Sequence, residues 1–187
     1  MLASQYAKAA IDIGARLALL RLLTPVDFGL LAMVLVFTRL AGLFAEMGLS
    51  TATVQRERLT EEQVSTLFWV NVAVGCGLAL LLAGISPAVS WCYGEPKLIG
   101  ITCALAAGVV LTGLTVQHQA ILQRQMRFTV LAWLGAGAVG IGAVCAVGLA
   151  LLGAGYWSLV AMHLAYTAVM AVGVWSACAW RPGWQPR

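Results

Sequence analysis

Charge is scarce in this chain of 187 residues. Only 10% of its side chains are Asp, Glu, Lys or Arg, against about 25% in a soluble domain. No acidic residue follows Glu95, and Phe128 to Trp180 is a run of 53 residues without one charged side chain. As a single helix that run would be roughly 80 Å long. The hydrocarbon slab is ~30 Å thick, so the run must cross, turn and cross again. A hydrophobic share of 61% and a mean hydropathy of +0.92 exclude disorder and an ordinary water-soluble domain. The expected fold class is all-α, a multi-pass helical membrane protein.

Other absences narrow the function. The five Cys (76, 92, 103, 145 and 178) form no CxxC and no cluster, which argues against a disulfide framework or a zinc site. Cys76, Cys103, Cys145 and Cys178 sit inside apolar runs and read as small packing residues. A basic n-region is missing from the start MLASQYAKAAIDIGARLALLRLL, so it does not read as a signal peptide. The net charge of +4 forms no basic stripe on a soluble domain, so nucleic acid is not an expected partner. Ser158 and His163 lie five apart on one helix with no activating third group, and no paired carboxylates face an open site. No catalytic residue, metal or cofactor is expected, and the chain is not expected to be an enzyme.

What is present is a succession of apolar segments. Six spans are predicted, at about 4–23, 28–49, 61–90, 98–118, 128–151 and 156–180, within one transmembrane domain over 1–187. Pro25 and Asp27 break and restart the chain, with Asp27 expected as an N-cap. Thr60-Glu61-Glu62-Gln63 fits a capping box. Helix 4 is expected to continue as a polar extension through QHQAILQRQMR, suited either to lipid headgroups or to solvent. His118 there reads as a solvated interfacial residue. His163 reads as a hydrogen-bonded packing residue rather than a proton carrier.

Arg56, Arg58, Arg124, Arg127, Arg181 and Arg187 lie on one side, against Lys97 and Arg21 on the other. The positive-inside rule then places both termini in the cytoplasm. Trp91, Tyr93, Tyr156 and Trp157 are expected in the outer aromatic belt, and Trp180 and Trp184 in the inner one. Gly135 to Gly140 matches GxGxxG, but no strand precedes it. Ala138, Gly142, Ala146 and Ala150 form an i+4 ridge suited to close helix packing.

The candidate site comes from charges that do not belong in hydrocarbon. Lys8, Asp12 and Arg16 are spaced i, i+4, i+8 and share one helix face. Arg39 and Glu46 share a face of the second helix, and Asn71 on the third adds a donor at similar depth. Mid-bilayer charge costs at least ~2.5–3.5 kcal/mol, so such groups face a bundle interior or a watery cavity. The five charged groups carry +1 together, which suits a phosphate-bearing anion. Two other readings remain open: structural ion pairs (Lys8–Glu46, and Asp12 with Arg16 or Arg39), or a first helix that lies in the interface.

The segments LLTPVDFGLLAM, GLSTATVQR, STLFWVN and QRQMRF, in that order and spacing, resemble the polysaccharide (oligosaccharide) flippase family of the MOP superfamily, the Wzx-type exporters; GYWSLVA is similar too. The resemblance implies two six-helix lobes around a cavity opening alternately to each side. It implies a lipid-linked, undecaprenyl-diphosphate-type oligosaccharide as cargo, moved across the bacterial inner membrane for surface polysaccharide assembly. Six spans correspond to the N-terminal lobe, with 181–187 at the position of the interlobe linker. A truncated or half-length chain is therefore expected, its partners being membrane lipids, the lipid-linked oligosaccharide and a second lobe or second copy. The alternatives are a non-transporting remnant or assembly partner of polysaccharide machinery, and a drug/cation antiporter of the same superfamily.

Overall fold

The structure, a computed structural model, describes residues 2–46 and 61–183, with side chains for 5–42 and 62–183. Among the described residues six helices follow one another: α1 (Leu2–Leu22), α2 (Pro25–Glu46), α3 (Glu61–Tyr93), α4 (Lys97–Arg124), α5 (Phe128–Leu151) and α6 (Tyr156–Ala177). The chain is an all-helical, multi-pass membrane protein. Five helices, α2 to α6, are long and apolar enough to cross a bilayer, one fewer than the six spans expected. The exception is α1. Its 21 residues reach far enough, but Lys8, Asp12, Arg16 and Arg21 make it too polar by composition.

Short turns make α1 and α2, α3 and α4, α4 and α5, and α5 and α6 antiparallel, which gives the bundle two distinct ends. The turns at 23–24, 94–96 and 152–155 lie at one end, here the turn end. There Asp27 approaches Gly155, and Lys97 Nζ lies 6.0 Å from the Tyr156 ring centre. At the opposite, arginine-bearing end, Arg127 Nη1 donates to the carbonyl of Ala177 (3.1 Å).

Local chemistry sets the breaks. Thr24, not Asp27, caps α2. Asp27 stands three residues further on, and its Oδ2 accepts from both Thr24 N (3.0 Å) and Thr24 Oγ1 (2.7 Å). Pro25, with no N–H to orphan, takes the first helical position. The capping box expected at Thr60 lies outside the described residues. In α3, Pro87 cannot donate to the carbonyl of Ala83. The Ser86 hydroxyl donates to it instead (2.7 Å), so the helix runs on unbroken.

Helix contacts form through small residues. A Cβ on Gly113 would meet the Asn71 carbonyl oxygen at 3.0 Å, and one on Gly142 would meet that of Met162 at 3.0 Å. These are the close approaches of α4 to α3 and of α5 to α6. Ala138, Gly142, Ala146 and Ala150 are all buried. The largest apolar core joins Leu19, Leu30, Val34, Leu98, Ile101 and Val160 near the turn end. Cys178 is buried and Cys76 partly so, but Cys103 and Cys145 are exposed. Cys103 still touches α3, with Sγ 3.8 Å from Ser86 Oγ, and Cys145 needs no burial inside the protein because a small thiol is tolerated in lipid.

At the arginine-bearing end α4 continues unbroken to Arg124. Its expected polar extension is not all surface: Gln117, His118, Ala120 and Leu122 are buried. His118 is wholly enclosed rather than solvated. Its ring stacks on Trp175 with centres 4.4 Å apart, and meets Trp180 and Phe68 edge-on at 5.3 and 5.8 Å. Trp180 thus belongs to an aromatic cluster instead of an interfacial belt, while Trp184 lies outside the described residues. The chain leaving α6 is strapped across this end by Ser65 Oγ, which donates to the Gly183 carbonyl (2.6 Å), and by Trp69 Nε1, which donates to the same oxygen (3.2 Å). At the turn end Trp91, Tyr93 and Trp157 are exposed and Tyr156 is half-buried.

Candidate functional site

A cavity of about 940 Å³ opens between α1, α2, α5 and α6. It exists because α1 packs on α5 rather than on α2, which leaves a gap between the first two helices. The i, i+4 spacing on α1 turns Lys8, Asp12 and Arg16 into that gap, and Arg39 enters from α2.

The lining is graded along the helix axes. Counting ~1.5 Å per residue from the turn end, Leu19, Phe28 and Leu159 lie at ~5 Å. Arg16 and His163 lie at ~10 Å, Asp12 and Tyr166 at ~15 Å, and Lys8 and Arg39 at ~21 Å. All of these residues line the cavity. Its turn end is therefore apolar, and its polarity rises toward the arginine-bearing end.

The charges are unequally matched. Arg16 Nε lies 2.9 Å from Asp12 Oδ2, one of the ion pairs left open by the sequence. Among the described residues neither Lys8 nor Arg39 has a carboxylate within salt-bridge distance. Lys8 instead places Nζ 5.9 Å from the centre of the Tyr166 ring, across the cavity from its own helix. Among the described residues, three cations against one carboxylate give this lining a net charge of +2. That is a low-dielectric concavity with an unbalanced positive charge, the arrangement that attracts an anion.

Lys8, Asp12, Arg16 and Arg39 thus share one cavity. The side chain of Glu46 lies outside the described residues. Asn71 is not a cavity residue. It is buried between α3 and α4, where its Nδ2 lies 3.5 Å from Gln117 Oε1 and its Oδ1 has no partner among the described residues. Depth alone suggested it, but α3 presents this face to α4, where Gly113 admits the Asn71 backbone.

Sequence reasoning missed His163, Tyr166 and Gln5, all of which line the cavity. His163 was expected as a hydrogen-bonded packing residue, yet neither ring nitrogen has a hydrogen-bond partner among the described residues. The available signal was the spacing of Leu159, Met162, His163 and Tyr166, which puts them on one face of α6. Among the described residues no three His, Cys, Asp or Glu side chains gather as a metal site requires.

Comparison with known proteins gives a consistent picture. The family described as polysaccharide biosynthesis protein matches residues 18–187. The teichuronic acid biosynthesis protein TuaB of Bacillus subtilis is 34% identical over 94 residues, covering 50% of this chain and 20% of TuaB. The lipopolysaccharide biosynthesis protein WzxC of Escherichia coli is 26% identical over 129 residues, 69% of this chain and 26% of WzxC. The succinoglycan biosynthesis transport protein ExoT of Rhizobium meliloti is 30% identical over 134 residues, 71% of this chain and 27% of ExoT. The chain spans about a quarter of the length of these relatives. No solved structure matches it significantly.

Proposed function

The chain belongs to the family of polysaccharide biosynthesis proteins, and from that premise we propose that it serves in the export of a lipid-linked saccharide for surface polysaccharide assembly. The observation that carries this reading is the cavity's uneven lining. Arg39 and Lys8 lie at its polar end with no carboxylate partner among the described residues, while Leu19, Phe28, Leu31 and Leu35 line the rest. A lipid diphosphate of the undecaprenyl type matches both halves. Its anion sits among Arg39, Lys8 and Arg16, its first prenyl units lie against the leucines, and its sugars extend toward the arginine-bearing end. Asp12 orients Arg16 and limits the positive charge.

In this reading the arginine-bearing end faces the cytoplasm of a bacterial inner membrane, where cargo enters. The gap beside α1 and α2 is one wall of a pathway, and a second lobe or a second copy supplies the other, since alternating access needs two bodies that rock against each other.

The test is genetic. Removing the gene should abolish surface polysaccharide and leave its lipid-linked precursor on the cytoplasmic leaflet. Complementation with Arg39→Ala should lower surface polysaccharide at least tenfold at unchanged protein level. Normal polysaccharide in the deletion strain overturns the reading, and equal losses of protein and transport reduce Arg39 to a structural residue.

A further inference from the structure

We propose that His163 is a third ligand for the anion in this cavity, one that binds only when its ring is protonated. The inference rests on the cavity being an anion site, and it adds a residue and a proton to that reading.

The placement carries it. His163 lies on the cavity face of α6, at the axial level of Arg16 and within electrostatic reach of Arg39, Arg16 and Asp12. Neither ring nitrogen is engaged with the described protein, so both are available to a ligand. Imidazole is the side chain whose ordinary titration falls between pH 5 and 8.

The groups that face it are few. From α1 come Lys8, Asp12 and Arg16, and from α2 comes Arg39. From α5 come only Val139 and Gly142, and from α6 itself Tyr166. On the far side of α6, α4 has only Cys103 as a titratable group between Lys97 and His118. The ordinary titration ranges of Lys, Arg, Asp and Tyr side chains lie outside pH 5 to 8, and that of imidazole lies within it. Among the described residues His163 is then the group whose titration changes the charge of the lining, from +2 to +3. Neutral imidazole offers a neutral N–H and an acceptor; the protonated ring offers two charge-assisted donors. An anion and a proton therefore bind together, each strengthening the other by the same factor. A cavity that gains a proton with its anion and loses both together is reset for another cycle.

The experiment measures binding of farnesyl diphosphate, an amphipathic diphosphate, to the purified chain in phosphatidylcholine nanodiscs by calorimetry at pH 5.5 and pH 8.0. The ligand's own titration is common to every variant, so the quantity read is the affinity ratio between the two pH values in wild type, divided by that in His163→Gln. A value on the order of ten is expected from one added unit charge in the lining. His163→Lys, charged throughout, should bind at pH 8.0 about as tightly as wild type does at pH 5.5 and lose the pH-dependent gain. A quotient near one, or a wild-type pH response in His163→Lys, overturns this inference and leaves the anion site standing. If wild type binds at neither pH, or Arg39→Ala binds as wild type at both, the anion site falls and this inference with it.

Discussion

Arg16 closes on Asp12, one turn away on the same helix, with Nε and Oδ2 2.9 Å apart. The pair is only partly shielded: the Arg16 side chain is 66% exposed and that of Asp12 32%. An exposed i, i+4 pair adds only a few tenths of a kcal/mol to helix stability. Its larger effect is on the cavity, where the carboxylate cancels one of three positive charges. Asp12→Asn is isosteric and removes that cancellation. The expected result is a several-fold tighter hold on farnesyl diphosphate at low salt, shrinking as salt rises, with little change in thermal stability. Weaker binding would mean that Asp12 acts mainly by orienting Arg16.

The contact between α5 and α6 gives a sharper test of the fold. A Cβ at position 142 would sit 3.0 Å from the Met162 carbonyl oxygen, whereas one at Gly140 has open space around it. Met162 neighbours His163 and also lines the cavity, so forcing these helices apart disturbs the site as well. Gly142→Val should cost about 1–3 kcal/mol through overpacking. Gly140→Ala should be neutral or stabilising by up to about 1 kcal/mol, because alanine is the better helix former. Thermal unfolding of both variants in one detergent compares them directly.

Much of this was legible in the residues because lipid imposes strict rules. A 53-residue stretch without charge leaves a helical hairpin as its main solution, and the small-residue ridge on α5 follows from i+4 spacing. The cavity face of α1 was legible for the same reason, since Lys8, Asp12 and Arg16 cannot all turn to hydrocarbon. Rotation of the nearly all-apolar helices was not. Asn71 sits on an apolar α3 with no stripe to fix its facing, and it is the approach of Gly113 and the neighbouring Gln117 that show it turned to α4. His118 was hidden by its neighbours. Two glutamines flank it, which suggests a surface, yet Trp175 and Trp180, 57 and 62 positions later in the sequence, enclose it.

That enclosure has an energetic consequence. Among the described residues neither buried His118 ring nitrogen makes a well-formed hydrogen bond, the Leu114 carbonyl being the nearby backbone acceptor, and an unpaired buried polar atom costs about 1–3 kcal/mol. His118→Phe keeps a flat ring against Trp175 and removes both unpaired atoms. The variant should melt at the same temperature as wild type or a few degrees higher. His118→Ala, which opens a void beside Phe68, Trp175 and Trp180, should melt lower. A drop for Phe as large as that for Ala would show that the nitrogens are engaged, with water as the obvious partner.

Orientation can be read from the native cysteines without engineering any. Cys92 is exposed at the turn end, two residues before Gly94, whose φ of 69° turns the chain out of α3. Cys103 and Cys145 lie ~9 Å along their helices from that end, at a depth where hydrocarbon keeps out a water-soluble reagent. Cys76 is deeper in α3, and Cys178, at the opposite end, is 2% exposed. A membrane-impermeant maleimide should therefore modify one site in the folded chain, and Cys92→Ser should abolish the signal. With the arginine-bearing end in the cytoplasm, Cys92 faces outward, so intact spheroplasts should label without permeabilisation. Labelling that appears only after lysis would reverse the chain in the membrane. The polar end of the cavity would then meet the outer side, and entry of a cytoplasmic lipid diphosphate through it would be ruled out.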